Sequence, residues 1–260
     1  MTRCGIVTIA GKPNAGKSTL LNRMVGEHLA ITSPKPQSTR ARIVGILADA
    51  DSQLILLDTP GLLDPDDKLR SAMRATAVRA IRDADVVVHL AAYQDYLPNF
   101  SRFFHVNAGG TALLYELLVA EAALRDRVER IVVATSQAVL GEGRYECPVH
   151  GTRFPGQRPL AQLEARDWDP RCDDCGSAMA TRPTFADDPP RPHNQYGISK
   201  LTQELIALNL GARYGIPTVA MRYSITQGPR QSFTNPYSGA LRIFVQRVLH
   251  GRQPMVYEDG

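Results

Sequence analysis

The sequence predicts an α/β fold with three layers, a mainly parallel sheet covered by helices on both faces, from which one small insertion projects. Three observations lead there. Short apolar runs rich in β-branched residues, Gly5 to Ala10, Leu54 to Leu57, Val86 to Leu90 and Ile131 to Ala134, have the length and unbroken apolarity of strands buried on both faces. Helix-forming stretches alternate with them, among them Thr19 to Val25 and Leu201 to Leu210. The first run also feeds a glycine-bearing loop and then a helix, the opening of a strand-loop-helix unit.

Composition supports an ordinary globular chain. With 260 residues and 43% hydrophobic content it can bury a full core, as one large α/β domain or two smaller ones. A net charge of +4 with dispersed basic residues demands no nucleic-acid partner. No run of 18 or more apolar residues occurs, and Met1-Thr2-Arg3-Cys4 leads straight into a strand, so no membrane partner and a cytoplasmic location are expected.

The loop after the first strand, Gly11-Lys12-Pro13-Asn14-Ala15-Gly16-Lys17-Ser18, is G-x-x-x-x-G-K-[ST] in its strand-loop-helix setting. Backbone N–H groups and a helix N-terminus there wrap a polyphosphate, Lys17 neutralises its oxygens and the Ser18 hydroxyl reaches Mg²⁺. Gly11, Asn14, Ala15, Gly16, Lys17, Ser18 and Thr19 are therefore candidate nucleotide-binding residues. The bland alternative is a Gly-rich turn with an incidental lysine.

Farther along, Cys147-Pro148-Val149-His150 and Cys172-Asp173-Asp174-Cys175 are separated by 21 residues. One imidazole and three thiolates in C-x2-H and C-x2-C knuckles satisfy tetrahedral zinc with no open position, which makes Cys147, His150, Cys172 and Cys175 candidate ligands of structural Zn²⁺. Three unpaired cysteines in a Pro-rich loop are the alternative. Tyr196-Gly197-Ile198-Ser199-Lys200 is Tyr-x-x-x-Lys on a predicted helix, so phenol and ammonium share one face and the charge can lower the phenol's pKa.

Beyond the phosphate loop, Ile31 to Ile46 resembles the first switch of Era-type GTPases, and Asp58-Thr59-Pro60-Gly61 resembles their second. The resemblance covers residues 5–88 and implies GTP with Mg²⁺: Thr39 completes the metal shell together with Ser18, Asp58 holds it through water, and the Gly61 amide senses the γ-phosphate. Neither Asn-Lys-x-Asp nor Ser-Ala-Lys follows Gly61, and nothing resembles the KH domain of Era proteins, so an RNA partner is not expected.

From residue 85 to 260 the resemblance changes. His89-Leu90-Ala91-Ala92, Asn107-Ala108-Gly109-Gly110-Thr111, Ser136 at the end of a strand and Tyr196 to Lys200 are similar to the extended short-chain dehydrogenase/reductase family, specifically its Rossmann-type, NAD-dependent nucleotide-sugar epimerases and dehydratases. This implies NAD beside His89, Ala91 and Asn107, and a nucleotide-sugar substrate at the catalytic residues Ser136, Tyr196 and Lys200. Leu140 stands where the family usually carries an aromatic residue, and Ile225-Thr226-Gln227-Gly228-Pro229 where it carries Asn-Val-Tyr-Gly-Pro. Members similar to dTDP-L-rhamnose 4-epimerases have a zinc ribbon at the position of the cysteine knuckles.

The expected organisation is a truncated Era-like P-loop segment at 1–88, a truncated epimerase/dehydratase segment at 89–260, and a zinc-ribbon insert at 144–182. The epimerase family begins with Gly-x-x-Gly-x-x-Gly and an acidic residue at the end of its second strand; the P-loop stands in its place. In both families the strand matching Val86 to Leu90 lies beside the first strand, so one continuous sheet, P-loop first unit joined to Rossmann-like later units, is expected. Two functions compete: an NAD-dependent epimerase/dehydratase carrying a GTP-binding segment, and a GTP-binding switch with the remainder as scaffold. A gene fusion with neither turnover is the third reading, and a homodimer is left open.

Overall fold

The computed structural model describes residues 3–11, 16–31, 42–60, 68–228 and 239–256. In chain order the elements are β1 (Arg3–Ala10), α1 (Lys17–Val25), β2 (Ile43–Ala48), β3 (Ser52–Asp58), α2 (Lys68–Arg82), β4 (Val86–His89), α3 (Phe100–Phe103), α4 (Gly110–Ala120), α5 (Ala122–Arg127) and β5 (Arg130–Ala134). They continue through β6 (Tyr145–Cys147), β7 (Gly151–Arg153), α6 (Leu160–Glu164), β8 (Ala180–Thr181), α7 (Gln195–Tyr214), β9 (Thr218–Met221) and α8 (Ala240–Leu249). The chain divides into two compact units, each described by itself.

The first unit comprises Met1–Tyr93, Asn99–Thr135 and Thr202–Met221. Its sheet has six strands in the order β2-β3-β1-β4-β5-β9. Every neighbouring pair is parallel except β2 with β3, an antiparallel edge that the sequence reading did not separate from the first switch. The expected single sheet is present: β1 of the GTPase-like part pairs directly with β4, and β4 with β5.

Alternation along β1 sends its side chains to two cores. On one face Ala10 joins Ile81, Ala84 and Val87, which interleave with Leu114, Tyr115, Leu118, Ile131, Val133, Ala207 and Ile216 from the later part of the chain. On the other, Ile9 meets Leu21, Ala30 and Leu56, with α1 closing that side. Thr8, fully buried, satisfies its hydroxyl by donating to the Ala80 carbonyl at 2.7 Å. Helices thus cover both faces, as the three-layer expectation requires.

One residue ties the central strands together. Asp85, just before β4, accepts the Ile6 N–H on its carboxylate at 2.7 Å and donates its own N–H to the Ile6 carbonyl at 2.8 Å. Its carbonyl accepts the Glu129 N–H at 2.8 Å, where the chain enters β5, and Arg127 lies 3.4 Å from the carboxylate.

After β4, α3 runs through a π-helical stretch, Phe104–Gly109, into α4, so the Asn107 to Thr111 motif lies inside a continuous helical segment. From Phe100 to Ala120 it is long and apolar enough, by length and composition, to cross a membrane. Phe103, Leu114, Tyr115 and Leu118 are nevertheless buried in the protein.

The second unit comprises Gln94–Pro98, Ser136–Leu201 and Arg222–Gly260. It holds a three-stranded antiparallel sheet in the order β7-β6-β8. At its base Arg182 donates its N–H to the Arg144 carbonyl at 2.9 Å. The Arg144 guanidinium grips Asp188, with Nε 3.1 and 3.2 Å from the two carboxylate oxygens, and lies over the Phe154 and Phe185 rings at 5.4 and 4.9 Å. This hydrogen bonding holds the Asp188 carboxyl below the usual carboxylate range.

Replacing Asp85 by alanine leaves the half-buried Ile6 N–H without its acceptor. Urea denaturation is expected to show a loss of about 1–3 kcal/mol for Asp85→Ala.

Candidate functional site

The P-loop site grows out of the β1 to α1 turn. Gly16 precedes the helix with φ of 80°, a left-handed conformation that favours glycine, and the first turn of α1 follows it. Lys17 is 6% exposed, and burial pushes its ammonium below the ordinary lysine value while the nearby Asp58 opposes that shift. Ser18 donates its hydroxyl to the Asp58 carboxylate. Asp58, fully buried at the end of β3, is held at the level of Ile9, and Thr59 donates to the Ile9 carbonyl at 3.0 Å. The structure therefore brings Lys17, Ser18 and Asp58 together; Thr19 is half-buried on the same first turn. A hydroxyl against a carboxylate, beside an ammonium, is a donor set that fits Mg²⁺ and phosphate oxygens. Asn14, Ala15, Thr39 and Gly61 lie outside the described residues.

Gly11 also makes a close backbone approach. Its backbone lies so close to the end of β4 that a Cβ would stand 3.0 Å from the Ala91 nitrogen and 3.2 Å from the Leu90 carbonyl carbon. Leu90 in turn donates its N–H to the Ala10 carbonyl at 2.9 Å. The first glycine of the P-loop thus abuts the segment containing His89 and Ala91.

The His89 ring is 1% exposed and turned into the helix layer, with Nε2 3.0 Å from Thr111 Oγ1. That hydroxyl donates to the Asn107 carbonyl at 2.7 Å and accepts from Gln203 Nε2 at 3.0 Å. Its single proton being spent, it accepts from His89, which places the imidazole proton on Nε2. Asn107 accepts the Tyr93 N–H at 2.6 Å and donates to the Tyr93 carbonyl at 3.2 Å, fixing the chain beyond Ala91.

In the second unit, Ser136 caps a short 3₁₀ turn, Gln137–Leu140, by accepting the Ala138 N–H at 3.1 Å. The Tyr196 end of α7 lies against that turn. At Gly197 an added Cβ would come within 2.5 Å of the Ala138 carbonyl oxygen, so only glycine beside Tyr196 allows this approach. Arg191 donates its N–H to the Val139 carbonyl at 2.9 Å from the same approach segment. Tyr196 is half-buried, and Lys200, one turn on, is 2% exposed. Sequence reasoning passed over Gly197, Asp85 and Gln203. The glycine inside a helix pattern was the legible signal; the other two are ordinary polar residues whose partners are distant in sequence.

The ribbon gathers Cys147, His150, Cys172 and Cys175 with their ligand atoms all within 4.8 Å of one another. Cys147 Sγ lies 3.6 Å from Cys175 Sγ and 3.8 Å from His150 Nδ1, and Cys172 Sγ lies 3.6 Å from that nitrogen. Tetrahedral zinc with Zn–S bonds near 2.3 Å has edges of about 3.8 Å. The set fits the ion. Hydrogen bonding with Ser177 lowers the Cys175 thiol to about 7, close to the thiolate form that a metal needs.

Comparison with known proteins separates the parts. The profile of the family described as 50S ribosome-binding GTPase matches residues 6–137, just over half of the chain. The chain belongs to this GTPase family. The profile of the NAD dependent epimerase/dehydratase family matches residues 175–260, so a second family occupies the C-terminal third and the chain has two parts. The GTPase part is 54% identical over 87 residues to the GTPase Era of Azotobacter vinelandii, 33% of this chain and 29% of that protein. It is 46% identical over 101 residues to the GTPase Era of Synechocystis sp., 39% of this chain and 32% of that protein. The chain therefore spans about a third or less of these GTPase relatives.

Among solved structures, the UDP-N-acetylglucosamine 4-epimerase of Methanobrevibacter ruminantium M1, in complex with UDP-N-acetylmuramic acid, aligns at a TM-score of 0.58 and 18% identity, over 100% of this chain and 67% of that one. The UDP-glucuronic acid 4-epimerase of Bacillus cereus, in complex with NAD, aligns at 0.54 and 18%, over 98% of this chain and 66% of that one. At these identities the likeness is one of fold.

Proposed function

We propose that this GTPase-family chain is an NAD-dependent epimerase/dehydratase-family protein acting on a nucleotide sugar, with residues 1–88 as an Era-like segment that binds GTP with Mg²⁺ and residues 89–260 as the sugar-modifying part. The observation that supports this is the pairing of β4 with β5 in the same sheet as β1, over a core to which Ala10, Ile81 and Val87 and also Leu114, Ile131 and Ala207 contribute. The 54% identity over 87 residues supports a GTPase-like segment of about that length.

Lys17 and the start of α1 would take phosphate oxygens, with Ser18 directly and Asp58 through water as the Mg²⁺ residues. On the sugar side, NAD⁺ when bound supplies a hydride acceptor. The chain's own residues handle the proton: Tyr196 takes it from the sugar hydroxyl, Lys200 lowers the phenol's pKa, and Ser136 hydrogen-bonds the same oxygen. Gly197 sets the distance between the Ser136 turn and the Tyr196 end of α7. His89, Ala91 and Asn107 shape the cofactor side through the backbone, since the His89 and Asn107 side chains bond Thr111 and Tyr93. Cys147, His150, Cys172 and Cys175 would hold a structural zinc that closes the 144–182 ribbon.

The opposing reading, a GTP switch with the rest as scaffold, is separated by direct measurement. Lys17→Ala is expected to weaken Mg²⁺-dependent GTP binding about tenfold or more, the worth of one charge-assisted hydrogen bond, in a fluorescent-nucleotide titration. Tyr196→Phe should slow hydride transfer from a nucleotide sugar to NAD⁺ by ~10²–10⁴-fold as read at the NADH absorbance band, and full turnover in this variant would remove the phenol from the reaction. Elemental analysis should find about one zinc per chain, lost in Cys172→Ser.

A further inference from the structure

The P-loop and the cofactor-side segment end at the same place on the sheet. β1 is flanked by β3 on one side and β4 on the other, both parallel to it. Ile9 is level with Asp58 and Ala10 with His89, so the three strands finish side by side. In open α/β sheets a dinucleotide lays its pyrophosphate on the helix N-terminus that follows the first strand, while an acidic residue ending the neighbouring strand takes the adenosine ribose. Here the helix following β1 is α1, preceded by the left-handed Gly16 and carrying the buried Lys17. The neighbouring strand β3 ends in Asp58. The two features that hold a triphosphate therefore stand where a dinucleotide would need its own.

At the end of β1 the backbone also packs directly on the end of β4. Gly11 touches the backbone at Leu90 and Ala91 closely enough that even one added methyl group would collide. We propose that GTP and NAD⁺ are alternative occupants of one site, both using the start of α1 and Lys17, so that bound GTP excludes the cofactor of the sugar-modifying part. The proposal rests on the reading that the chain takes both nucleotides, and it adds that they compete. It also predicts an asymmetry. Ser18 and Asp58 serve the triphosphate through Mg²⁺, whereas a dinucleotide pyrophosphate needs Lys17 and the helix N-terminus but no ion. Magnesium should therefore favour GTP.

The test uses the full chain, a fluorescent non-hydrolysable GTP analogue and radiolabelled NAD⁺ in equilibrium dialysis. The expected result is that NAD⁺ displaces the analogue completely, the analogue's apparent Kd rising in proportion to NAD⁺, and that chelating Mg²⁺ makes NAD⁺ the stronger competitor. Lys17→Ala should weaken both ligands about tenfold or more, while Ser18→Ala, a smaller change, should weaken the GTP analogue alone. Labelled NAD⁺ binding with unchanged affinity in saturating analogue would overturn the shared site yet leave the two-nucleotide reading standing. Binding of only one of the two nucleotides would overturn both, and the one retained would say which part of the chain kept its site. Undiminished NAD⁺ binding in a folded Lys17→Ala chain, checked by its thermal melt, would likewise overturn the shared site.

Discussion

Asp85 fixes the central strand β4. With its carboxylate on the Ile6 N–H, its N–H on the Ile6 carbonyl and its carbonyl on the Glu129 N–H, it sets β4 between β1 and β5. Register matters more than affinity at this point, because a slip of one residue would turn Val87 and His89 away from the helix layer and bring Val86 and Val88 into it. The observed register puts Val87 into the core with Ala84, Leu118 and Ile131, and lets His89 reach Thr111. A short strand of four residues, three of them valines, could be paired in more than one way; an aspartate bonded to both neighbours selects one.

With the register set, the core on the α4 side closes by size complementarity. Ala10, Ala84 and Ala207 are small, and the space they leave is taken by Leu114, Tyr115 and Leu118, all nearly or fully buried. The later turn of α7 comes close to β9 at Gly211, where a Cβ would stand 2.4 Å from Thr218 Oγ1. Tyr115 OH meets that same Thr218 hydroxyl at 2.7 Å. Small residues at the approach and a buried tyrosine with its hydroxyl bonded give a packed layer with its polar atoms satisfied.

The sequence made the parallel sheet legible because its strands are continuous apolar runs and its first loop has a fixed motif. The shared sheet was also legible, since both families place the same strand beside the first. Three features were hidden for different reasons. The edge strand Ile43–Ala48 has no polar residue to alternate with its apolar ones, although every second position is exposed, and it lay inside a stretch whose motif pointed to a switch, so periodicity gave it no separate identity. The π-helical stretch at Phe104–Gly109 depends on Asn107 capping the Tyr93 backbone, a contact spanning 14 residues that no local pattern encodes. The Arg144–Asp188 grip joins residues 44 apart through two aromatic rings, and neither residue carries a signal of its own. Of the site residues, those with fixed spacing, Gly16 to Ser18, the cysteine knuckles and Tyr196 to Lys200, were readable, whereas Gly197 acquires its meaning only from the Ala138 carbonyl it faces.

A sheet and a nucleotide site make different demands on a chain assembled from two families. Cores accept new neighbours if volume and pattern are kept, because dispersion and burial are nondirectional. Ala10 and Ala84 against Leu114 and Leu118 meet that demand. Phosphate recognition is directional: it needs N–H groups, an ammonium and a carboxylate at set positions, and these sit on the β1 to α1 turn and at the end of β3, all within the first part. The Cys/His cluster proposed to hold zinc is likewise contained in the second unit, its four candidate ligands drawn from 29 consecutive residues, Cys147 to Cys175. What crosses the join is the general element, the strand pairing and its apolar layer. The donor set for phosphate and the candidate donor set for metal each stay within one part of the chain, so neither had to be rebuilt when the sheet accepted strands from the other.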